Sequence, residues 1–388
     1  MPDRIWTRRF FLLWLVGFFS YASVYLLMPV LPLYLARFEA TTTAIGALIG
    51  LSSMAALFSR PFAGWLSDGY GRRPLIITGL LAMFASTIGL PFVTGVILFG
   101  MLRILAGIGF GSLTATANTL AGEMAPPYRR GEAIGLYTMA GSTALALGPL
   151  AGLYLARIWG YEAAFWVATG LAGLALGCSF SLEAREREPL APMSVRTLIF
   201  WPARGPATLL LLHSMTYASL VIFLPLLARD RNLGNPGLFF TIYALVLVVL
   251  RGIAGRLSDR FGRAAIIGPG LVCGAISMLV LAGAAVRWQM LAAAVFFSVG
   301  MAFVQPPSLA WALDLAAGRR GTAMATMVAA QDMGIALGGL VLGLVGARGG
   351  FGTLFVAAAG LVLVGAAGLV VMRMSRTPPP WEKPSSGR

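Results

Sequence analysis

Charge is what this chain has least of. Only 11% of its 388 residues are charged and 58% are hydrophobic, with a mean hydropathy of +0.83. Soluble domains carry about 25% charged residues, so a soluble fold is excluded and an all-α membrane protein is expected. Lysine is nearly missing, since Lys383 stands alone. The two cysteines, Cys178 and Cys273, both fall within apolar stretches. They read as small packing residues, and neither a disulfide framework nor a cysteine metal site follows from them. His213 is the single histidine, and with no second His or Cys at ligand spacing no metal site is expected. The P-loop pattern G-x-x-x-x-G-K-[ST] is missing, which removes ATP hydrolysis. No nucleophile–histidine pair is visible either, so the chain does not read as an enzyme and no cofactor is expected.

What the chain has instead is long uncharged runs. A membrane-spanning helix needs about 20 apolar residues. The charges enclose such stretches at 9–37, 39–60, 73–103, 103–123, 132–157 and 162–183. Six more lie at 204–229, 231–251, 263–287, 287–314, 320–348 and 348–373. Of these twelve, only 320–348 contains a charge, Asp332. The first stretch is too long for a removed signal peptide and lacks a small-residue cleavage site, so it is expected to span.

The net charge of +15 reflects topology rather than nucleic-acid binding. Basic residues collect on the cytoplasmic side of membrane proteins. With the N-terminus inside, 22 of the 29 basic residues lie in cytoplasmic segments and six (Arg37, Arg157, Arg229, Arg231, Arg287 and Arg348) lie outside. Arg103 falls within a stretch. Both termini are therefore expected in the cytoplasm, with contact to anionic membrane lipid.

The chain also repeats itself. A shift of 191 residues lays Arg60 on Arg251, Gly64 on Gly255, Asp68 on Asp259, Gly71 on Gly262, Arg72 on Arg263 and Glu123 on Asp314. After a one-residue deletion, RRGEA from Arg129 and Arg130 falls on RRGTA at 319–323, and Gly148 falls on Gly338. YASVYLLMP at 21–29 matches YASLVIFLP at 217–225. So many rare charges and glycines in step predict two parallel six-helix repeats, a construction that lets transporters rock around a central site. The expected organisation is a bundle over 1–181, a mixed-charge cytoplasmic linker over 182–206, a second bundle over 207–374 and a disordered tail over 375–388.

The repeated turn, GWLSDGYGRRPLI at 64–76 and GRLSDRFGRAAII at 255–267, falls between the second and third spans of each half. Glycines let the backbone close sharply, and the carboxylate can pair with guanidinium groups a turn away. Such pairs, if formed in one conformation only, would latch the two halves; the plain alternative is a turn with topogenic arginines. The pattern G-x-L-x-D-x-x-G-R-R at Gly64, Asp68, Gly71, Arg72 and Arg73, echoed by Gly255, Asp259, Gly262 and Arg263, resembles the signature loop of the major facilitator superfamily. The resemblance covers essentially the whole chain. It implies a cavity between two bundles that opens alternately to each face, lined mainly by spans 1, 4, 7 and 10, and a monomer that moves a small molecule.

RILAGIGFG at 103–111 is similar to the family's fourth-span motif, R-x-x-x-G-x-G. Gly148, Pro149 and Gly152 resemble the G-P-x-x-G element of the exporter branch, although Ala144 and Leu153 depart from it. The equivalent site in the second half has Gly338 and Gly339 without proline. Export is thus what the resemblance implies.

Polar groups in the hydrocarbon region are costly and point to function. Arg103 has no counterpart in the second half, where Ala294 aligns. It either holds a carboxylate or polar network, modulates a proton site, or locks its helix on backbone carbonyls. Asp332, with Gln331 beside it, is a candidate proton carrier or a bond to a neighbouring helix. Glu123 and Asp314 occupy equivalent inner ends, each preceding an arginine pair, and suit a second set of cytoplasmic gate salt bridges. Tyr21, Tyr25 and Met28 share a helix face, Tyr217 repeats the pattern, and Asn118 and Gln305 add amides. Together they suit a cavity for amphipathic or aromatic compounds, as they also suit helix packing. His213 is expected either to titrate there or to make a plain hydrogen bond. No acid lies within 10–36, where many proton-driven exporters of this family carry one, so coupling would fall to Asp332, Glu123 or Asp314.

The expectation is a proton-coupled exporter of small amphipathic molecules in a bacterial inner membrane. Its rivals are a carrier of one metabolite, such as a sugar, siderophore or amino acid, and a non-transporting membrane sensor.

Overall fold

The structure, a computed structural model, describes residues 6–125, 129–182, 199–316 and 320–374. Among them the regular elements are helical. The first stretch forms α1 (Arg8–Leu27) and, after a kink at Met28 and Pro29, α2 (Val30–Leu35). Thr7 caps α1 by accepting a hydrogen bond from the Phe10 amide at 3.2 Å. The first half continues through α3 (Thr42–Tyr70), α4 (Arg72–Gly89), α5 (Val96–Glu123), α6 (Arg130–Ile158) and α7 (Tyr161–Ser179). The second holds α8 (Arg204–Asp230), α9 (Gly237–Phe261), α10 (Arg263–Ala282), α11 (Arg287–Asp314) and α12 (Arg320–Met374).

Ten described helices are long and apolar enough to cross a membrane, or up to eleven if the pair Gly237–Leu250 and Gly252–Phe261, bent by 47°, is taken as one. The twelfth stretch expected from the sequence does not stand as a separate helix. It continues α12, 55 residues long and broken at Gly350 (φ 76°, ψ 179°). An unbroken helix of that length would extend about 80 Å, well over twice the roughly 30 Å hydrocarbon core.

The charged turns explain their own glycines. Gly71 (φ 91°) ends α3 and starts α4, and Gly262 (φ 90°) does the same between α9 and α10. A backbone in that region favours glycine because no Cβ is present to clash. The Gly71 amide donates to the Ser67 carbonyl at 3.1 Å, closing the last turn of α3.

Within the first half, α1 packs on α6 and α7, and α5 packs on α3 and α4; within the second, α8 and α10 pack on α12, and α11 on α9 and α10. The halves meet through α3 against α12 and α6 against α9. At the end of α3 remote from the charged turn the crossing is backbone to backbone. A Cβ on Gly46 would stand 1.9 Å from the Gly339 carbonyl oxygen, and the Thr43 hydroxyl donates to the Gly343 carbonyl at 3.2 Å. On the other crossing the Thr241 hydroxyl donates to the Ala146 carbonyl at 2.8 Å. These contacts seal the halves together at the end away from the charged turns. Near those turns, by contrast, Gly64 and Gly255 face open space.

Candidate functional site

A cavity of about 550 Å³ lies between the halves, lined from α1 to α6 on one side and from α8, α9, α11 and α12 on the other. Tyr21, Tyr25, Met28, Tyr217 and Gln305 are all on its wall. Tyr21 stacks on Tyr25 at a ring separation of 5.9 Å and meets Phe110 edge-on at 5.5 Å. Tyr217 faces Tyr243 at 6.3 Å. The Gln305 amide donates to the Gln331 side-chain oxygen at 3.0 Å, tying α11 to α12.

Two residues of the expected lining lie elsewhere. His213 is completely buried in the second half. It stacks on Phe297 at 5.5 Å and lies against Gly274, where a Cβ would sit 3.3 Å from the imidazole. Asn118 folds back on its own helix, donating to the Thr114 carbonyl at 2.7 Å.

The charged groups on the cavity wall are Arg60, Arg103 and Asp332. Arg60 (α3) and Asp332 (α12) form an ion pair across the halves, Nε to Oδ2 2.8 Å, with a second contact from Nη2 to Oδ1 at 3.5 Å. Arg103 donates to the Ser52 hydroxyl, and its Nε is buried without a partner. The glycines that follow Arg103 fix its helix. Gly107 and Gly111, one turn apart, press on α3: a Cβ on Gly107 would stand 2.1 Å from the Ser52 carbonyl oxygen, and one on Gly111 2.3 Å from the Ser59 hydroxyl. Gly109 points the other way, onto the Gly79 carbonyl of α4. Small residues at such spacing let helices approach to backbone contact.

Gly148 and Gly152 do the same for α6. A Cβ on Gly152 would lie 2.0 Å from the Leu26 carbonyl oxygen, and one on Gly148 3.0 Å from the backbone of Tyr25 and Leu26. With Pro149 inside the helix, this element seats α6 on the α1 segment that carries the cavity tyrosines.

The charged turns are organised alike in both halves. Arg72 bonds the Ser67 hydroxyl and pairs with Glu123 at 3.0 Å. Arg263 bonds the Ser258 hydroxyl at 2.9 Å, pairs with Asp314 at 2.9 Å and also contacts Asp259. Each arginine thus staples the start of its helix to the end of the helix 51 residues on. Glu123 and Asp314 thus each pair with a turn arginine of their own half. Arg129, just before α6, pairs with Glu132 in the first turn of that helix, both distances 2.8 Å. Arg73 donates to the Phe180 carbonyl at 2.7 Å. The side chains of Asp68 and Arg130 lie outside the described residues, as do most of the expected linker and the whole tail.

Sequence reasoning missed Arg60, Ser52 and Tyr243 as cavity residues. Arg60 had served as the edge of an apolar stretch, yet a lone intramembrane acid such as Asp332 calls for a cation, and Arg60 recurs in the repeat as Arg251.

The sequence profile of the Major Facilitator Superfamily matches residues 13–237 and again 207–388. The chain is 25% identical over 401 residues to "Multidrug resistance protein MdtG" of Klebsiella pneumoniae, covering 93% of this chain and 92% of that one. It is 25% identical over 279 residues to "Multi-drug resistance efflux pump PmrA" of Streptococcus pneumoniae, covering 68% of this chain and 70% of that one. Among solved structures, a POT family transporter in complex with a thioalcohol-conjugated peptide superposes with a TM-score of 0.83 at 13% identity, covering 97% of this chain and 99% of that one. That likeness concerns the fold. The protein is a transporter and not an enzyme, and the chain belongs to the Major Facilitator Superfamily.

Proposed function

We propose that this chain is a proton-coupled exporter of small amphipathic or drug-like molecules, working by alternating access as a monomer in a bacterial inner membrane. The observation that carries the reading is the aromatic cavity between the halves, bridged by the Arg60–Asp332 pair. The multidrug names of MdtG and PmrA support export. The break at Gly350 divides α12 into two spans, giving twelve spans in two six-helix bundles, 1–181 and 207–374, joined by the linker 182–206 and followed by the tail 375–388. Both termini and the charged turns face the cytoplasm.

On that orientation the sealed crossing at Gly46 and Gly339, with open space at Gly64 and Gly255, supports an inward-facing state. Protonation of Asp332 removes the charge that holds Arg60 and frees α12 from α3, which couples proton binding to movement. The pairs Arg72–Glu123 and Arg263–Asp314 each lie within one half and are formed in this arrangement. They hold the cytoplasmic ends of their own bundle in register rather than latching one half to the other. Stabilising the outward-facing state falls to the loops around Asp68 and Asp259.

The test is substrate-induced proton movement in energised everted vesicles containing the protein. A panel of aromatic amphipaths of both charge signs is added, with and without a protonophore. Addition of at least one compound should release protons from the vesicles and drive its own protonophore-sensitive accumulation. Silence across the panel, with normal amounts of protein in the membrane, overturns the drug-exporter reading in favour of a carrier of one metabolite.

A further inference from the structure

The charges on the cavity wall do not balance. Asp332 is engaged with Arg60 at 2.8 Å, and no acid remains on the wall to meet Arg103. Among the described residues Arg103 takes part in no salt bridge. Its one hydrogen bond goes to the neutral Ser52 hydroxyl, and Nε is buried with no acceptor. Desolvating a guanidinium without a counter-charge is costly, and the repeat shows the fold does not need it, because Ala294 fills the equivalent place, fully buried. Packing of Gly107 and Gly111 on α3 holds the helix that carries Arg103, so the cation is fixed rather than swinging on a loose support. The same cavity offers the faces of Tyr21 and Tyr25 from one half and Tyr217 from the other.

We infer that the cavity is a binding site for aromatic carboxylates, with the carboxylate accepting charge-assisted hydrogen bonds from Arg103 and the ring lodged among Tyr21, Tyr25 and Tyr217. The inference rests on the transport reading of this cavity and adds a charge preference to it. A planar guanidinium with free N–H groups matches a carboxylate's two oxygens, while the tyrosine faces suit a flat apolar body. The one other charged feature of the wall, the Arg60–Asp332 pair, is internally neutralised. A cationic amphipath of the same shape meets a net positive wall and is disfavoured.

The test compares three molecules of nearly one shape on the purified full-length protein in detergent: 2-naphthoate, 2-naphthamide and 2-naphthylmethylammonium. Equilibrium binding is measured by titration calorimetry. In the wild type the carboxylate should bind about tenfold or more tightly than the amide, and the ammonium weakest of the three. Arg103→Gln should bring carboxylate and amide within about twofold of each other while leaving amide binding in place, which also shows that the variant is folded. Arg103→Lys, which keeps the charge but loses the fork, should retain part of the preference. Were Arg103 held instead for a carboxylate of the chain itself in another conformation, Arg103→Gln would slow transport without changing the order of the three ligands, and the inference would fall. A wild type that prefers the amide or the ammonium, or that binds none of the three, also overturns it. Vesicle transport separates this failure from that of the wider reading. Export of cationic dyes with exclusion of naphthoate sinks only the charge preference, whereas no export of any amphipath sinks the exporter reading itself.

Discussion

Arg60 on α3 and Asp332 on α12, 272 residues apart in the chain, meet at 2.8 Å across the boundary between the halves. Their side chains are 22% and 10% exposed, so the pair is largely shielded from water, and removing one partner strands the other. Breaking a buried pair from one side costs roughly 3–5 kcal/mol in the fully buried limit; partial exposure here reduces that to about 1–2 kcal/mol. Asp332→Asn and Arg60→Gln should each lower stability in detergent and slow proton-driven transport. The double variant should be less damaged than the two single losses combined. A double-mutant cycle on thermal stability reads the coupling directly. Additive losses would mean that the two side chains do not act as a pair.

The two turn arginines make the same staple with unequal shielding. Arg72 and Glu123 are 17% and 25% exposed, whereas Arg263 and Asp314 are 24% and 46% exposed. Solvent weakens an ion pair, so Glu123→Gln should cost more than Asp314→Asn, about 1 kcal/mol against a few tenths. Chemical denaturation of the two variants side by side checks the order, and equal losses would mean that shielding does not decide the strength of these contacts.

Much of this was legible from residue type and spacing. The internal shift of 191 residues placed Gly71 with Gly262, and both take the positive φ that the turn needs. Tyr21, Tyr25, Met28, Tyr217 and Gln305 were singled out as a polar-aromatic set on apolar helices, and all five line the one cavity, from both halves. What escaped was information carried between helices. Arg60 belongs to Asp332 only after α3 and α12 cross, and helical periodicity says nothing about which helix lies opposite. The same blindness affected Asn118 and His213, since a polar side chain in an apolar helix reads alike whether it faces a cavity, its own backbone or a packed core. Glycine at 46 looked like any other small residue until its partner, Gly339, was seen.

His213 offers a clean check on that distinction. Its imidazole is fully buried and both ring nitrogens lack a hydrogen-bond partner. An unsatisfied buried polar group is a liability that an apolar side chain removes. His213→Leu should therefore leave transport and its pH profile unchanged and keep or raise stability, by up to about 1 kcal/mol. A displaced pH profile in vesicles would show that His213 takes part in proton movement despite its place in the core.

The crossing of α3 and α12 is the contact on which closure of the far end depends. With a Cβ of residue 46 placed 1.9 Å from the Gly339 carbonyl oxygen, the helices cannot keep their present separation if alanine replaces Gly46. The obstacle is backbone, not the tip of a flexible side chain, so relief requires moving one helix against the other. Overpacking of this kind costs about 1–3 kcal/mol in the closed form, while a form with that end open loses the contact and bears little of the penalty. Gly46→Ala should thus shift the population toward opening at this end rather than unfold the chain. A cysteine at position 43, where a hydroxyl now reaches the Gly343 carbonyl at 3.2 Å, reports the change. Its reaction with a membrane-impermeant thiol reagent should be slow with Gly46 present and at least fivefold faster with alanine, corresponding to about 1 kcal/mol. Unchanged access would mean that the two helices part elsewhere and that Gly46 and Gly339 do not form the hinge of closure.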